Sequence, residues 1–188
     1  MVVRVFTALY PSAAALADLD RVVAPLRRER DDLTWTRSEQ WHLTLTFHGD
    51  LEPDRLTRFE RVVAACAAVR WATSARLYGA GGFPSTAQGR MLWAGVQPAD
   101  DALGDLQRNL AARLRRNGWD ADRRRYRPHL TLARSRRRRD LTALVGVLAD
   151  YQGPEWDVDR IVVVASRPGD DGRFHHEPVG EYALRRDV

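Results

Sequence analysis

The tetrapeptide His-Leu-Thr-Leu occurs twice, at residues 42–45 and again at 129–132, an offset of 129 − 42 = 87 positions. In a chain of 188 residues, a repeat at that distance takes in most of the sequence and calls for two similar halves. The same offset relates Pro11 to Pro98 (98 − 11 = 87). Each proline closes a short apolar run, Val5-Phe6-Thr7-Ala8-Leu9 in the first half and Leu92-Trp93-Ala94-Gly95-Val96 in the second. Both runs are β-rich and bounded by turn formers, as short strands are.

A helical pattern follows each run. Ser12 can cap a helix with Leu16, Leu19, Val23 and Leu26 on one face, and Pro25 is expected to kink it or end it early. Asp100 or Asp101 can cap a second helix carrying Leu103, Leu106, Leu110 and Leu114, with Gly118 as its stop. Further helices are expected around Leu56, Phe59, Val63 and Cys66, and around Leu141, Leu144, Val145 and Leu148. Strands return near 73–78, 158–165 and 177–184. Each half thus reads strand, helix, strand, helix, strand. The expected fold is α+β: two pseudo-symmetric lobes from the internal repeat, with antiparallel-type sheets lining a central cleft and helices outside. It forms a single bilobal domain over 1–188, with repeat halves of approximately 1–87 and 88–188. The stretch Gly79-Ala80-Gly81-Gly82-Phe83-Pro84 reads as the turn between halves, since it lacks the Lys and Ser/Thr of a phosphate-binding P-loop.

On a strand, alternate residues share a face. His42 and Thr44 therefore project together while Leu43 and Leu45 pack behind, and the same holds for His129 and Thr131. If an approximate two-fold axis relates the repeats, the two strands face each other across a cleft holding two imidazoles and two hydroxyls. With unperturbed pKa values of ~6.5, the two imidazoles can sit in opposite protonation states near neutral pH, one accepting a proton and the other giving one. Threonine hydroxyls can hydrogen-bond phosphate oxygens, and a neighbouring Arg can stabilise developing charge. Arg134, on the same strand or just past it, and Arg90, after the crossover turn, are the candidates. Such a site suits displacement at a phosphodiester with no obligatory metal.

Composition narrows the alternatives. All 30 basic residues are Arg, against 25 acidic ones, for a formal charge of +5. That balance is only suggestive of a nucleic-acid partner, and an Arg-for-Lys codon bias accounts for the missing Lys. Without Lys, no chemistry runs through a lysyl–nucleotide adduct. One Cys excludes an intrachain disulfide and a Cys-based zinc site, and Cys66 reads as a small buried hydrophobe. The uncharged stretch from Val5 to Ala17 loosely mimics a secretory signal, but only Arg4 precedes it and Pro11 interrupts it, so a cytoplasmic protein is expected.

The paired motifs resemble those of the 2H phosphoesterase superfamily. More closely, the chain resembles the RNA 2′,3′-cyclic phosphodiesterase family, also called 2′-5′ RNA ligases. The likeness is carried by Arg4-Val5-Phe6, by Trp41 through Phe47, by Phe83-Pro84-Ser85, by Leu92 through Val96 and by Tyr126 through Arg134. It implies an enzyme that opens 2′,3′-cyclic phosphate ends of RNA or nucleotides to 2′-phosphomonoesters, without a cofactor. His42 would be the proton donor and His129 the proton acceptor, with Thr44, Thr131 and Arg134 holding the phosphate. By microscopic reversibility the same pair could join RNA ends 2′-5′. Two other readings stay open: an RNA-binding module of the same fold with little turnover, and a cyclic phosphodiesterase for a small nucleotide or ADP-ribose-type metabolite. A monomer with no membrane association is expected.

The remaining residues carry weaker expectations. His48 departs from the family's usual aliphatic residue and is expected as an exposed strand-end histidine, with the cleft rim as the alternative. His175 and His176 are neighbours that a strand would point to opposite faces, a poor chelate, and they read as a hairpin end. Arg136 through Arg139 read as the solvated start of the next helix, or else as a means of drawing an RNA backbone to the cleft. Phe6, Tyr10 and Trp93 could stack a base, although Phe6 and Trp93 also suit a core. Phe6 and Arg90 complete the substrate-binding candidates.

Overall fold

A computed structural model of the chain describes residues 2–98, 101–121, 125–169 and 174–186. Its strands are β1 (Val3–Leu9), β2 (Thr34–Trp35), β3 (Leu43–Leu51), β4 (Thr73–Phe83), β5 (Gly89–Pro98), β6 (His129–Arg139), β7 (Gln152–Val158), β8 (Arg160–Pro168) and β9 (Phe174–Ala183). The helices are α1 (Ala13–Glu29), α2 (Pro53–Ala67), α3 (Ala102–Arg116) and the short α4 (Thr142–Val147). The strands form one antiparallel sheet in the order β7-β4-β5-β6-β3-β1-β8-β9, with β2 added beside β6. The class is α+β, as expected.

The repeat governs the topology. The offset of 87 carries β1 onto β5, β3 onto β6 and β4 onto β8, because 160 − 73 is again 87. The sheet is therefore two four-stranded arms, β7-β4-β5-β6 and β3-β1-β8-β9. They join at the centre through a single register pair, Leu43 with Leu130. Those two leucines are repeat equivalents (130 − 43 = 87), so the local two-fold axis passes between them. β4 from the first half lies in the arm of the second, and β8 makes the reverse exchange. Helices cross over too: α1 packs on β4 and β7, whereas α3 packs on α2 and β3.

Side-chain patterning explains which faces close. Leu19, Val23 and Leu26 of α1 are buried, as are Leu103, Leu106, Leu110 and Leu114 of α3. Ser12 accepts a hydrogen bond from the Ala15 amide and caps α1. Trp41, Phe59, Leu43 and Leu130 lie in the main core between sheet and helices. A smaller cluster of Phe6, Ala8, Val162 and Val164 lines the other face of the sheet.

Several expectations are corrected. Pro25 does not end α1, which runs on to Glu29. Both Pro25 and Arg21, whose carbonyl loses its amide partner, are exposed, so water can replace that bond while Leu26 stays packed. Asp101 sits at the start of α3 but makes no side-chain cap, and Asp100 lies outside the described residues. Gly79 through Phe83 form not a turn but the end of β4, in which Gly79 sits at a register shift and Ala80 through Phe83 pair with Ala94 through Met91. A Cβ on Gly81 would meet the Trp93 ring at 2.2 Å, so glycine there lets the indole lie across the strand. Arg136 through Arg139 continue β6 rather than open a helix. The strand expected at 158–165 is preceded by an unforeseen one, β7. No helix among the described residues is long and apolar enough to cross a membrane.

Candidate active site

Leu43, Leu45, Leu130 and Leu132 are buried, while His42, Thr44, His129 and Thr131 are half-exposed on the other face. The strands do not oppose each other across a gap. They are neighbours in one sheet, and one antiparallel step from the Leu43–Leu130 pair sets His42 beside Thr131 and Thr44 beside His129. The two-fold axis thus repeats one His/Thr couple on either side of itself.

The histidines are held alike. His42 Nδ1 lies 2.7 Å from the Gln40 carbonyl oxygen, and His129 Nδ1 lies 2.7 Å from that of Arg127. Gln40 and Arg127 are themselves repeat equivalents (127 − 40 = 87). A carbonyl only accepts, so each Nδ1 must donate, and the neutral ring carries its lone pair on Nε2. Aromatic rings fix the imidazole planes. Phe6 stacks on His42 with centroids 4.8 Å apart, and its repeat equivalent Trp93 lies 6.2 Å from His129, with Phe83 edge-on at 5.1 Å. Phe6 is nearly fully buried and lines the floor of the cleft beneath His42.

A matched pair of bulges selects the next cleft residues. Ala8 pairs with Thr44 but Thr7 with Thr46, which leaves Leu45 extra. Trp93 pairs with Thr131 but Leu92 with Ala133, which leaves its equivalent Leu132 extra. Each bulge inverts the alternation beyond it. Phe47 and its equivalent Arg134 therefore turn into the cleft, where both line a cavity of about 510 Å³ with His42, Thr44 and Thr131. Thr46 and His48 turn the other way. His48 is neither an exposed strand end nor a rim residue: it packs 4.5 Å from Phe59 of α2 and shares a 2.7 Å hydrogen bond with Thr46.

The cavity's charged lining is Arg4, Arg37 and Arg134, with His42, His175 and His176 beside them and no carboxylate among the described lining residues. Burial, more than any charge, pulls His42 down to about 4. The Gln40 carbonyl opposes that shift, and His176, Arg134 and His129 add to it. His129 is also lowered, first by burial and then by Arg134 and Arg127. Arg134, lowered by burial, is thus close enough for its charge to act on both rings. The imidazoles are not poised on either side of neutrality; in the free cleft both favour the neutral form at pH 7.

His176, which read as part of a hairpin end, instead lines the cleft. Its strand places it against the His42 side, with ring centroids 5.1 Å from His42 and 5.0 Å from Phe6. Arg90 is exposed on β5 and is not among the cavity-lining residues. Tyr10 stands 5.9 Å from His42. A larger cavity of about 770 Å³ carries Glu155, Asp157, Asp159 and Glu181 and none of the motif residues; its acidity disfavours phosphate. Among the described residues no three His, Cys, Asp or Glu side chains converge as metal ligands.

Residues 11–170 match the family described as the 2′-5′ RNA ligase superfamily. An RNA 2′,3′-cyclic phosphodiesterase of Methanothermobacter thermautotrophicus is 29% identical over 82% of this chain and 83% of its own length. One from Geobacillus stearothermophilus is 36% identical over 54% of this chain, a match that spans about a third (32%) of that relative. The crystal structure of E. coli LigT complexed with 3′-AMP superposes with a TM-score of 0.74 at 20% identity, covering 98% of this chain and 99% of that one. At that identity the likeness is one of fold.

Proposed function

The chain belongs to the 2′-5′ RNA ligase superfamily, and from that premise we propose that it is an RNA 2′,3′-cyclic phosphodiesterase that forms 2′-phosphomonoesters. The observation that carries this reading is the pair of imidazoles related by a two-fold axis, each with Nδ1 tied to a carbonyl and Nε2 left for proton transfer. The names of the curated relatives support it.

In this reading His129 Nε2 takes a proton from water as the water oxygen bonds to phosphorus. His42 enters protonated and gives its Nε2 proton to the departing 3′-oxygen as the P–O3′ bond breaks. The products are a 2′-phosphate and a free 3′-hydroxyl. Thr44, Thr131 and Arg134 hold the non-bridging oxygens, and Arg134 balances charge building on them. Each proton transfer is worth about 10²–10⁴ in rate. With an RNA 5′-hydroxyl in place of water the same two transfers run in the same sense: His129 takes the proton of the 5′-oxygen as it bonds to phosphorus, His42 protonates the departing 3′-oxygen, and the RNA ends are joined 2′-5′.

The test offers nucleoside 2′,3′-cyclic monophosphates in EDTA and identifies the product by phosphorus NMR. A 2′-monophosphate is expected from the native protein. Its rate should drop by about 10²–10⁴ in His42→Asn and in His129→Asn. No turnover, strict metal dependence, or an undiminished rate in either variant overturns the reading.

A further inference from the structure

β6 does not stop at Arg134 but carries the consecutive residues Arg136, Arg137, Arg138 and Arg139 away from the cleft. Met91 of β5 pairs with Arg134 and Gly89 with Arg139, so Arg90 alone stands opposite residues 135–138. The longer strand must bulge there, and Arg90, Arg136, Arg137 and Arg138 are all exposed around the bulge. Arg139 is paired with Asp32 at 3.1 Å, and among the described residues the Arg138 side chain reaches the neutral Gln88 side chain at 2.6 Å and no carboxylate. Arg136 and Arg137 make no ion pair among the described residues. Such a cluster repels itself in the folded chain, and an anion relieves that repulsion.

The repeat gives the cluster a direction. Subtracting 87 from 136–139 leads to Gly49, Asp50, Leu51 and Glu52, the corresponding end of β3 and the residue after it. One exit from the cleft thus carries four guanidinium groups, three of them with no ion pair among the described residues, whereas its symmetry mate carries two carboxylates, Asp50 (paired with Arg4 at 3.8 Å) and Glu52. The central His/Thr couples are alike on both sides of the axis and would admit a phosphodiester in either sense. An anionic polymer is favoured over β6 and repelled from β3. At ~3.3 Å per residue, Arg137 lies about 10 Å along the strand from Arg134, within reach of phosphates a nucleotide or two from the terminus.

We infer that Arg136 and Arg137, with Arg90 across the bulge, form a phosphate track for single-stranded RNA. The track carries the body of the substrate out over β6 and orients its 3′ end in the cleft. This rests on the proposed activity for what happens at that end, but not for the binding itself. The substrate class is accordingly an RNA chain rather than a mononucleotide.

The first experiment measures binding of a fluorescein-labelled RNA decamer ending in a 2′-phosphate, between 50 and 200 mM salt, by anisotropy. The double variant Arg136→Gln/Arg137→Gln should bind at least five-fold more weakly at the lowest salt. Its log–log salt slope should be shallower by about 1.4, two contacts at ~0.7 each. Arg136→Lys/Arg137→Lys should keep most of that slope. Arg58→Gln/Arg61→Gln, which removes the same charge from the exposed surface of α2, should bind as the native protein does. Equal losses in the β6 and α2 variants, or none in either, overturn the track. The second experiment compares kcat/KM on a cyclic-phosphate-ended decamer and on the matching cyclic mononucleotide. The β6 variant should lose at least five-fold on the RNA, through KM, and stay within two-fold on the mononucleotide; a parallel loss on both overturns it. If the native protein opens neither substrate, the proposed activity fails while the binding comparison still decides the track.

Discussion

At the scale of the residue, the active cleft is short of one proton. His42 sits at about 4 because it is buried, and His129 is lowered for the same first reason. The proposed reaction needs one ring charged and one neutral. In that reading a bound phosphodiester supplies the negative charge that offsets Arg134 and lets the cleft take up that proton. Because kcat/KM follows the free enzyme, it should peak on the acid side of 6.5 and fall about tenfold per pH unit above its alkaline limit. A maximum at pH 8 or higher would show that the proton-donating ring is not held neutral. Folding stability carries the same signature. His42 and His48 are both depressed to about 4 in the folded chain, against ~6.5 when unfolded. Between those values the unfolded state binds more protons, so stability is complete above about 6.5 and declines as pH falls towards 4. The urea midpoint should drop over that window, and the drop should be shallower in His48→Gln; identical slopes would remove His48 from the account. The motif histidines and threonines were legible because period-two alternation and a second copy pointed to them. His176 was not, because it comes from β9, whose counterpart under the two-fold axis is β7 at the other end of the sheet and not a strand 87 residues away. Only the pairing of β9 with β8, and of β8 with β1, carries it to His42.

At the scale of the element, two bulges convert a repeated strand into two different halves of a site. Leu45 and Leu132 are the extra residues, and the side chains they re-aim are an aromatic ring on one strand and a guanidinium on the other. Bulges leave no mark in hydrophobic alternation beyond a doublet of buried residues, here Leu45-Thr46 and Leu132-Ala133. That is why Arg134 could be named from its neighbourhood, whereas Phe47 was passed over and His48 misplaced. β7 was missed for a related reason. Its Gly153 and Pro154 break up the strand pattern, yet as an edge strand it tolerates the proline, and Trp156 and Val158 bury themselves beneath it. If Arg134 grips phosphate through a two-pronged donor, Arg134→Lys keeps the charge but loses the fork, and kcat/KM should fall by about tenfold or more. A full rate in the lysine variant would reduce Arg134 to a point charge. Gly81 permits the indole of Trp93 to lie across β4 beside His129, so Gly81→Ala should cost about 1–3 kcal/mol of stability by overpacking. Chemical denaturation checks this, and an unchanged midpoint would mean that the ring can move aside.

At the scale of the whole molecule, each half of the sequence gives a strand to the arm of the other, which argues against two folding units. Cutting the chain between Ala87 and Gln88, in the exposed turn before β5, leaves the first half with one intact pairing, β1 with β3. Its β4 loses both neighbours, β5 and β7, and β1 loses β8. The second half keeps the β5–β6 and β8–β9 pairs but loses β4, β3 and β1, the strands that join those pairs and β7 into one sheet. Helices fare no better: α1 forfeits β7, and α2 forfeits α3, β8 and β9. Two-stranded pieces are marginal in water, so each fragment alone should lack dispersed amide shifts and a cooperative thermal transition. Mixed in equal amounts, the fragments can rebuild the exchanged strands, and both the transition and the activity should return together, because the Leu43–Leu130 pair that sets the two histidines side by side spans the cut. A cooperative transition in either fragment alone would mean that the exchange of β4 and β8 decorates two self-sufficient lobes. In that case the two-fold arrangement of the cleft would rest on docking rather than on folding.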